Sequence, residues 1–207
     1  MTLTRSILCA ALAATLTVSA CGGRKDETSR GGSTSSSSLP VMRWDHRPEA
    51  AEWTSATLAA LRSHGSALPQ IVPYDIAEWC PAYPSASLRE REAFWAGLFS
   101  ALAKHESTWR PEAAGGGGRW IGLLQIAPAT AEGYDCRATS PRQLKDGSAN
   151  LSCGVRIAAH QVVRDNAVMD DGSGNWRGMA RDWAPFRSES KRADMAAWTR
   201  SQSYCRR

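Results

Sequence analysis

Apolar positions recur at helical spacing along most of the chain. Between Pro48 and His64, Trp53, Thr57, Leu58 and Leu61 form one stripe, with Pro48 suited to a first helical turn and Gly65 to a stop. From Ser87 the pattern is denser: Leu88, Trp95, Phe99, Leu102 and Glu106 follow at spacings of 7, 4, 3 and 4, and Phe94, Leu98, Ala101 and His105 make a parallel row. Two adjoining rows describe a helix buried over a wide face. Ser87-Leu88-Arg89-Glu90 fits a capping box at its start, and Pro111 stops it. A further helix restarts at Pro128-Ala129-Thr130-Ala131. Another covers about Ser148–Asn166, with Leu151, Val155, Ala158, Ala159, Val162 and Val163 inward. A last one covers about Lys191–Tyr204, packing through Met195 and Trp198. Residues 65–86, with Pro69, Pro73, Pro81 and Pro84, read as irregular, with a helical turn at Asp75–Trp79; residues 170–178 read as a loop. No period-2 run reaches strand length, so the fold class is mainly α, with few or no strands.

The first forty residues break this pattern. Arg5 precedes an uncharged apolar run, Ile7 to Val18, and Val18-Ser19-Ala20-Cys21 has the layout of a bacterial lipobox. Residues 1–20 are therefore expected to be a lipoprotein signal peptide and Cys21 the lipidation site, anchoring the protein to a membrane without spanning it. A spanning helix needs about 20 apolar residues, and this run ends at Gly22-Gly23-Arg24-Lys25. Residues 21–41, rich in Gly and Ser, read as a flexible tether with a reach of about 25 Å. One folded domain, 42–207, follows. Gly22 after Cys21 is not the aspartate that retains lipoproteins at the inner membrane in some two-membrane bacteria. That points to the cell envelope, at the periplasmic face of the outer membrane.

Losing Arg5 with the signal lowers the formal net charge from +5 to +4. A mildly basic domain suits an acidic wall polymer or anionic lipid. The basic residues are scattered without a stripe or nucleic-acid motif, which argues against nucleic acid as a partner. Besides Cys9 and Cys21, four cysteines remain, and none forms a Cys-x-x-Cys pair. In an exported chain they read as two disulfides with three possible connectivities. The pairing expected is Cys136–Cys153, closing a local loop, and Cys80–Cys205, tying the last helix to the front of the domain.

Glu106 carries the candidate chemistry. A carboxyl at the end of an apolar stripe is poorly solvated, which raises its pKa. A raised pKa is what a general acid for a glycosidic oxygen requires. The four glycines 115–118 and the segment Gly122-Leu123-Leu124-Gln125 follow it.

In order, Glu106-Ser107, Trp109-Arg110-Pro111, Gly122-Leu123-Leu124-Gln125-Ile126, Pro128-Ala129-Thr130-Ala131 and Tyr134 resemble the soluble lytic transglycosylase domain, a family related to goose-type lysozyme. The likeness extends loosely to Asn150-Leu151 and Gly154. It implies a lysozyme-like helical domain with a catalytic cleft. The implied activity is cleavage of the β-1,4 bond between N-acetylmuramic acid and N-acetylglucosamine, leaving 1,6-anhydro ends. Glu106 then matches the family's catalytic acid and base. Ser107, Gly122, Leu124, Gln125 and Tyr134 match substrate-binding positions. The family's Tyr-Asn support is missing: the corresponding stretch is Arg181–Arg187, where Asp182 or Trp183 is the expected substitute. An Asp182 carboxylate close to Glu106 would raise its pKa further and leave simple hydrolysis open. A wall-binding module without activity is the non-enzymatic reading. No metal or cofactor is called for, and a monomer acting on peptidoglycan strands is expected.

Other chemistries fit poorly. His105-Glu106 is followed by Trp109 where a zinc protease helix needs histidine, the glycine run lacks a P-loop lysine, and no Gly-x-Ser-x-Gly elbow occurs. Of nine tryptophans, Trp109, Trp120 and Trp183 lie near the motifs, where either core packing or a sugar platform would suit them.

Overall fold

The computed structural model describes residues 38–206. The signal, Cys21 and nearly all of the tether lie outside them. The described chain is helical, with α1 (Ala50–Leu61), α2 (Ile76–Trp79), α3 (Leu88–Ser107), α4 (Pro128–Gly133), α5 (Pro141–Leu144), α6 (Gly147–Asp165) and α7 (Glu189–Arg200). A two-stranded antiparallel hairpin, β1 (Ala114–Gly115) and β2 (Trp120–Ile121), follows α3. None of its helices is long and apolar enough to cross a membrane.

Helix α3 is the axis of the core. Its capping box forms as written: the Ser87 hydroxyl accepts from Glu90 N–H at 3.3 Å and the Glu90 carboxylate accepts from Ser87 N–H at 2.7 Å. Phe94, Trp95, Ala96, Leu98, Phe99, Ala101, Leu102 and Ala103 are fully buried. They pack against α1, α7 and the short turns Leu68–Gln70, Tyr83–Ser85 and Ser203–Cys205. Gly97 is needed within this helix, because a Cβ there would stand 2.3 Å from the Tyr204 hydroxyl. Two of the core indoles find partners, Trp95 Nε1 donating to the Tyr83 hydroxyl at 2.8 Å and Trp44 Nε1 to Thr54 Oγ1 at 2.9 Å, whereas the buried Trp79 Nε1 has none. Helix α6 lies along α1 and carries its own cap, Asp146 accepting from Ala149 N–H at 2.9 Å.

Several boundaries differ from the expected ones. Helix α1 begins two residues after Pro48, which sits in a turn. Leu88 is exposed, since it opens α3 before the helix enters the core. Val163 is also exposed: the buried row of α6 runs through Leu151, Val155, Ala158 and Val162, and Val163 lies about 100° past it. Helix α7 ends at Arg200, and a separate turn brings Cys205 back to Cys80. The hairpin and α5 leave no trace in the hydrophobic spacing, because strands of two residues and a helix of four are too short to repeat a period. A second capping box, Ser140 with Gln143, marks the start of α5.

Both expected disulfides are present, Cys80–Cys205 and Cys136–Cys153. The first spans 125 residues and fastens the end of the chain beside α2. Because it restricts so long a loop in the unfolded chain, replacing both cysteines with serine is expected to lower stability by about 2–5 kcal/mol. Denaturant unfolding checks this, and an unchanged midpoint would mean that the cross-link does not contribute.

Candidate active site

Helix α3 delivers Glu106 in its last turn and then stops abruptly. Thr108 and Trp109 both take left-handed conformations, with φ of 54° and 56°. Their N–H groups bond back to the carbonyls of Lys104 and Ala103, each at 3.2 Å. Two consecutive non-glycine residues in this region are costly. They are held by Trp109, whose indole N–H donates to Ser100 O at 2.9 Å and whose ring meets His46 edge-on at 4.6 Å.

The chain returns through the hairpin. Gly116, Gly117 and Gly118 have φ of 57°, 68° and 90°, values that favour glycine. Any Cβ on Gly116 would strike the Trp120 ring at 2.3 Å. Ile121 and Ile126 then exchange two backbone hydrogen bonds, of 3.1 and 3.0 Å, which closes the loop Gly122–Gln125. Gly122, at φ 81°, passes so close to Asn150 and the Leu144 carbonyl that a Cβ would lie 2.3 and 2.2 Å from them.

This loop carries buried backbone groups that no strand pairs. Side chains from three elements satisfy them. Ser107 Oγ donates to Leu123 O at 2.9 Å. Asn150 Oδ1 accepts from Leu124 N–H at 2.9 Å, while its Nδ2 donates to Ile121 O at 3.0 Å and Leu144 O at 2.9 Å. Trp183 Nε1 donates to Leu124 O at 3.0 Å. Gln125 bonds within the loop, its Nε2 donating to Gly122 O at 2.9 Å. Gly154 leaves room for the Leu124 side chain, which a Cβ would meet at 2.3 Å.

Burial pushes the Glu106 carboxyl up to about 7, and the positive charges of Lys191 and Arg187 oppose that rise. The negative end of the α3 dipole adds to the penalty on the carboxylate. Lys191 lies in the first turn of α7, and that helix is fastened to the end of α3 through Asp194. The Asp194 carboxylate accepts from Arg43 at 2.7 and 2.9 Å and from Lys104 at 3.1 Å, with His105 Nε2 at 2.7 Å. Arg43 foremost, with Lys104 and His105, holds Asp194 well below the usual carboxylate range.

The residues singled out in the sequence divide into two groups. Gln125, Asp182 and Trp183 line one cavity together with Trp120, Ile126 and Thr130. Tyr134 shares the next cavity with Asp182, Thr130 and His160. Ser107 and Leu124, by contrast, are buried, and their polar atoms brace the loop. Gly122 contributes close backbone approach. Asp182 does not act on Glu106. Its carboxylate accepts from Gln161 Nε2 at 2.6 Å and lies 3.5 Å from the Tyr134 hydroxyl. Trp183 supports the loop, so the expected replacement for the missing Tyr-Asn pair braces backbone, not the carboxylate. Lys191, Arg187 and Gln161 went unrecognised as site residues. Lys191 and Arg187 sit among residues that look like any exposed helix or loop, whereas Gln161 is buried in α6 beside Ala158 and Val162, and only the fold brings the three to the site. Asn150 had a weak signal, an amide set among the inward positions of α6. Among the described residues, no three His, Cys, Asp or Glu side chains gather as a metal site.

Residues 85–169 match the family described as the Transglycosylase SLT domain. Solved structures of Bd0314 DslA share this fold. The wild-type form 2 is 28% identical, covering 82% of this chain and 100% of that one, with a TM-score of 0.74. Two glutamate-to-glutamine mutants of the same protein match at the same identity and coverage, with TM-scores of 0.75 and 0.73. No curated protein matches the chain. Residues 85–169 are thus similar to the SLT family, whose members act on peptidoglycan, and the helical domain has a lysozyme-like fold.

Asn150 bonds three backbone groups; without it Leu124 N–H and Leu144 O lose their partner, while Ile121 O keeps the Ile126 N–H. Asn150→Ala is expected to cost about 2–4 kcal/mol of stability. Urea unfolding measures it, and a loss below about 0.5 kcal/mol would show that the loop does not depend on this amide.

Proposed function

We propose that the protein is a peptidoglycan lytic transglycosylase that cleaves the bond between N-acetylmuramic acid and N-acetylglucosamine, with Glu106 as both acid and base. The observation that carries this is the half-buried Glu106 carboxyl, raised to about 7, at the end of α3 beside the braced loop 122–125. Protonated Glu106 donates its proton to the glycosidic oxygen as the C1–O bond breaks, releasing the sugar that bears the new 4-hydroxyl. The carboxylate then takes the proton of the muramic acid C6 hydroxyl, whose oxygen closes on C1 to give the 1,6-anhydro ring. Glu106 ends protonated, ready for another cycle. One residue serving both steps needs no second carboxylate. The engagement of Asp182 by Gln161 and Tyr134, with no action on Glu106, supports this route over two-carboxylate hydrolysis. On this reading the lipid on Cys21 and the tether hold the domain at the envelope, within reach of the wall.

Three measurements test it: product release, the pH profile and stability at alkaline pH. Glu106→Gln is expected to abolish release of anhydromuropeptides from sacculi; full release would overturn the assignment, and reducing-end products from the wild type would indicate a hydrolase. The pH dependence has a definite sign. The first step needs the protonated acid, so kcat/KM is expected to fall as pH rises through about 7. Removing the Lys191 charge by Lys191→Ala should move that limb upward. Linkage runs the same way: a carboxyl raised in the fold stabilises below its unfolded pKa, and that stability is lost as pH rises to about 7. At pH 8, Glu106→Gln is therefore expected to be more stable than wild type, by up to about 3 kcal/mol.

A further inference from the structure

A second pocket lies away from the loop 122–125. It is formed by residues 170–177 with α2 and α7, and its lining includes Trp176, Asn175, Asp170, Glu78 and Arg192. Trp176 is large and apolar, yet 48% exposed. Tyr74, 70% exposed, stands against the same loop, 3.2 Å from where a Cβ on Gly172 would be. Two exposed aromatics at one loop, rimmed by polar groups, form a candidate binding surface, where a single one would not.

The loop that presents Trp176 is rigidly built. Beneath it, the buried Asp75 carboxylate accepts the N–H groups of Val168, Met169 and Asp170 at 2.6, 2.8 and 3.0 Å. Burial raises the Asp75 pKa despite these donors, so placing it there opposes the carboxylate form. Asp171 pairs with Arg177 at 2.7 Å, and Arg177 N–H donates to Met169 O at 3.0 Å. At the loop's far end, Gly178 N–H donates to Asp165 at 2.8 Å. A Cβ on Gly178 would lie 2.0 Å from Ala167 O, so the two ends of the loop close tightly. The backbone that carries Trp176 is thus braced at both ends of the loop, and a preorganised backbone reduces the cost of binding.

We propose that the Trp176 pocket is a second carbohydrate site, which holds an N-acetylated glycan strand outside the catalytic cleft. An indole face stacks on the apolar face of a pyranose ring. The Asn175 amide, the Asp170 and Glu78 carboxylates and the Arg192 guanidinium together offer donors and acceptors for hydroxyl and acetamido groups. The mixed charge of this rim, two carboxylates and one guanidinium, fits a neutral hydroxylated ligand better than an anionic lipid surface. The loop and Trp176 lie beyond residues 85–169, outside the span matched to the family. Arg192 follows Lys191 on α7, so pocket and cleft flank the first turn of one helix, whose width is about 10 Å. The class of ligand rests on the proposed action on peptidoglycan; the binding itself does not depend on catalysis.

The test uses the Glu106→Gln protein throughout, so that cleavage does not enter. Binding to purified sacculi is measured by co-sedimentation, and binding to chitotetraose by calorimetry. Adding Trp176→Ala is expected to weaken sacculus binding about ten-fold, while Trp176→Tyr, which keeps an aromatic face, stays within about three-fold. Chitotetraose should bind with an affinity that falls in step. Unchanged sacculus binding by Trp176→Ala would overturn the proposal. So would equal losses in the alanine and tyrosine variants, or a Trp176-dependent affinity for anionic phospholipid vesicles with none for the sugar. A wild-type protein that cleaves nothing, yet binds sacculi through Trp176, would remove the catalytic reading and leave this one standing.

Discussion

The backbone of the loop 122–125 lies against the core with no ladder to satisfy it. Leu123 O, Leu124 N–H and Leu124 O must each find a partner, because an unpaired buried amide costs about as much as a lost hydrogen bond. Ser107, Asn150 and Trp183 supply those partners from α3, from α6 and from the segment before α7. A single irregular loop thereby fixes three otherwise separate parts of the chain. The constraint explains why small or special residues cluster there. Gly122 and Gly154 leave space for the Asn150 amide and the Leu124 side chain, and Gln125 takes φ 50° while bonding its own loop.

The same loop is fastened to the end of α3 through Ser107, next to Glu106. Helix α3 is fully buried along its middle, so its last turn meets solvent late and Glu106 remains poorly hydrated. Burial and the helix dipole both favour the neutral acid. Lys191 and Arg187 oppose them, which leaves the carboxyl near 7, able to give and retake a proton around neutrality. The arrangement is unfavourable to the fold above that pH. Asp194 offsets this locally by tying Arg43, Lys104 and His105 together across α3 and α7.

Much of this could be read from the chain. The two apolar rows and the Ser87 capping box place Glu106 on the buried face by counting, and the cysteine pattern gives the pairing found. Errors arose where a local rule met an end effect. Leu88 and Val163 obey the helical period but lie at an entrance or just past the buried row. Glu106 and Gln125 stand out in the sequence because their motifs are contiguous. Lys191 and Arg187 do not: they lie more than 80 residues after Glu106, and only tertiary packing brings the charges together. Ser107 and Leu124 show the opposite limit. A motif marks them as belonging to the site, but only geometry reveals that they support backbone from within.

Helix α7 links the electrostatics of Glu106 to the surface beyond it. Lys191 acts on Glu106, Arg192 lines the Trp176 pocket, and Asp194 locks the helix to the end of α3. Successive helical residues point about 100° apart, so one rotation of α7 sets all three directions. A change that loosened Asp194 would shift Lys191 relative to Glu106 and Arg192 relative to Trp176 together. If both sites hold glycan, their spacing is fixed by a helix clamped at its own middle, and a strand bound at one would meet the other at a constant offset. The Asp194 cluster is then more than a surface ion pair of small worth, because it fixes where both sites lie.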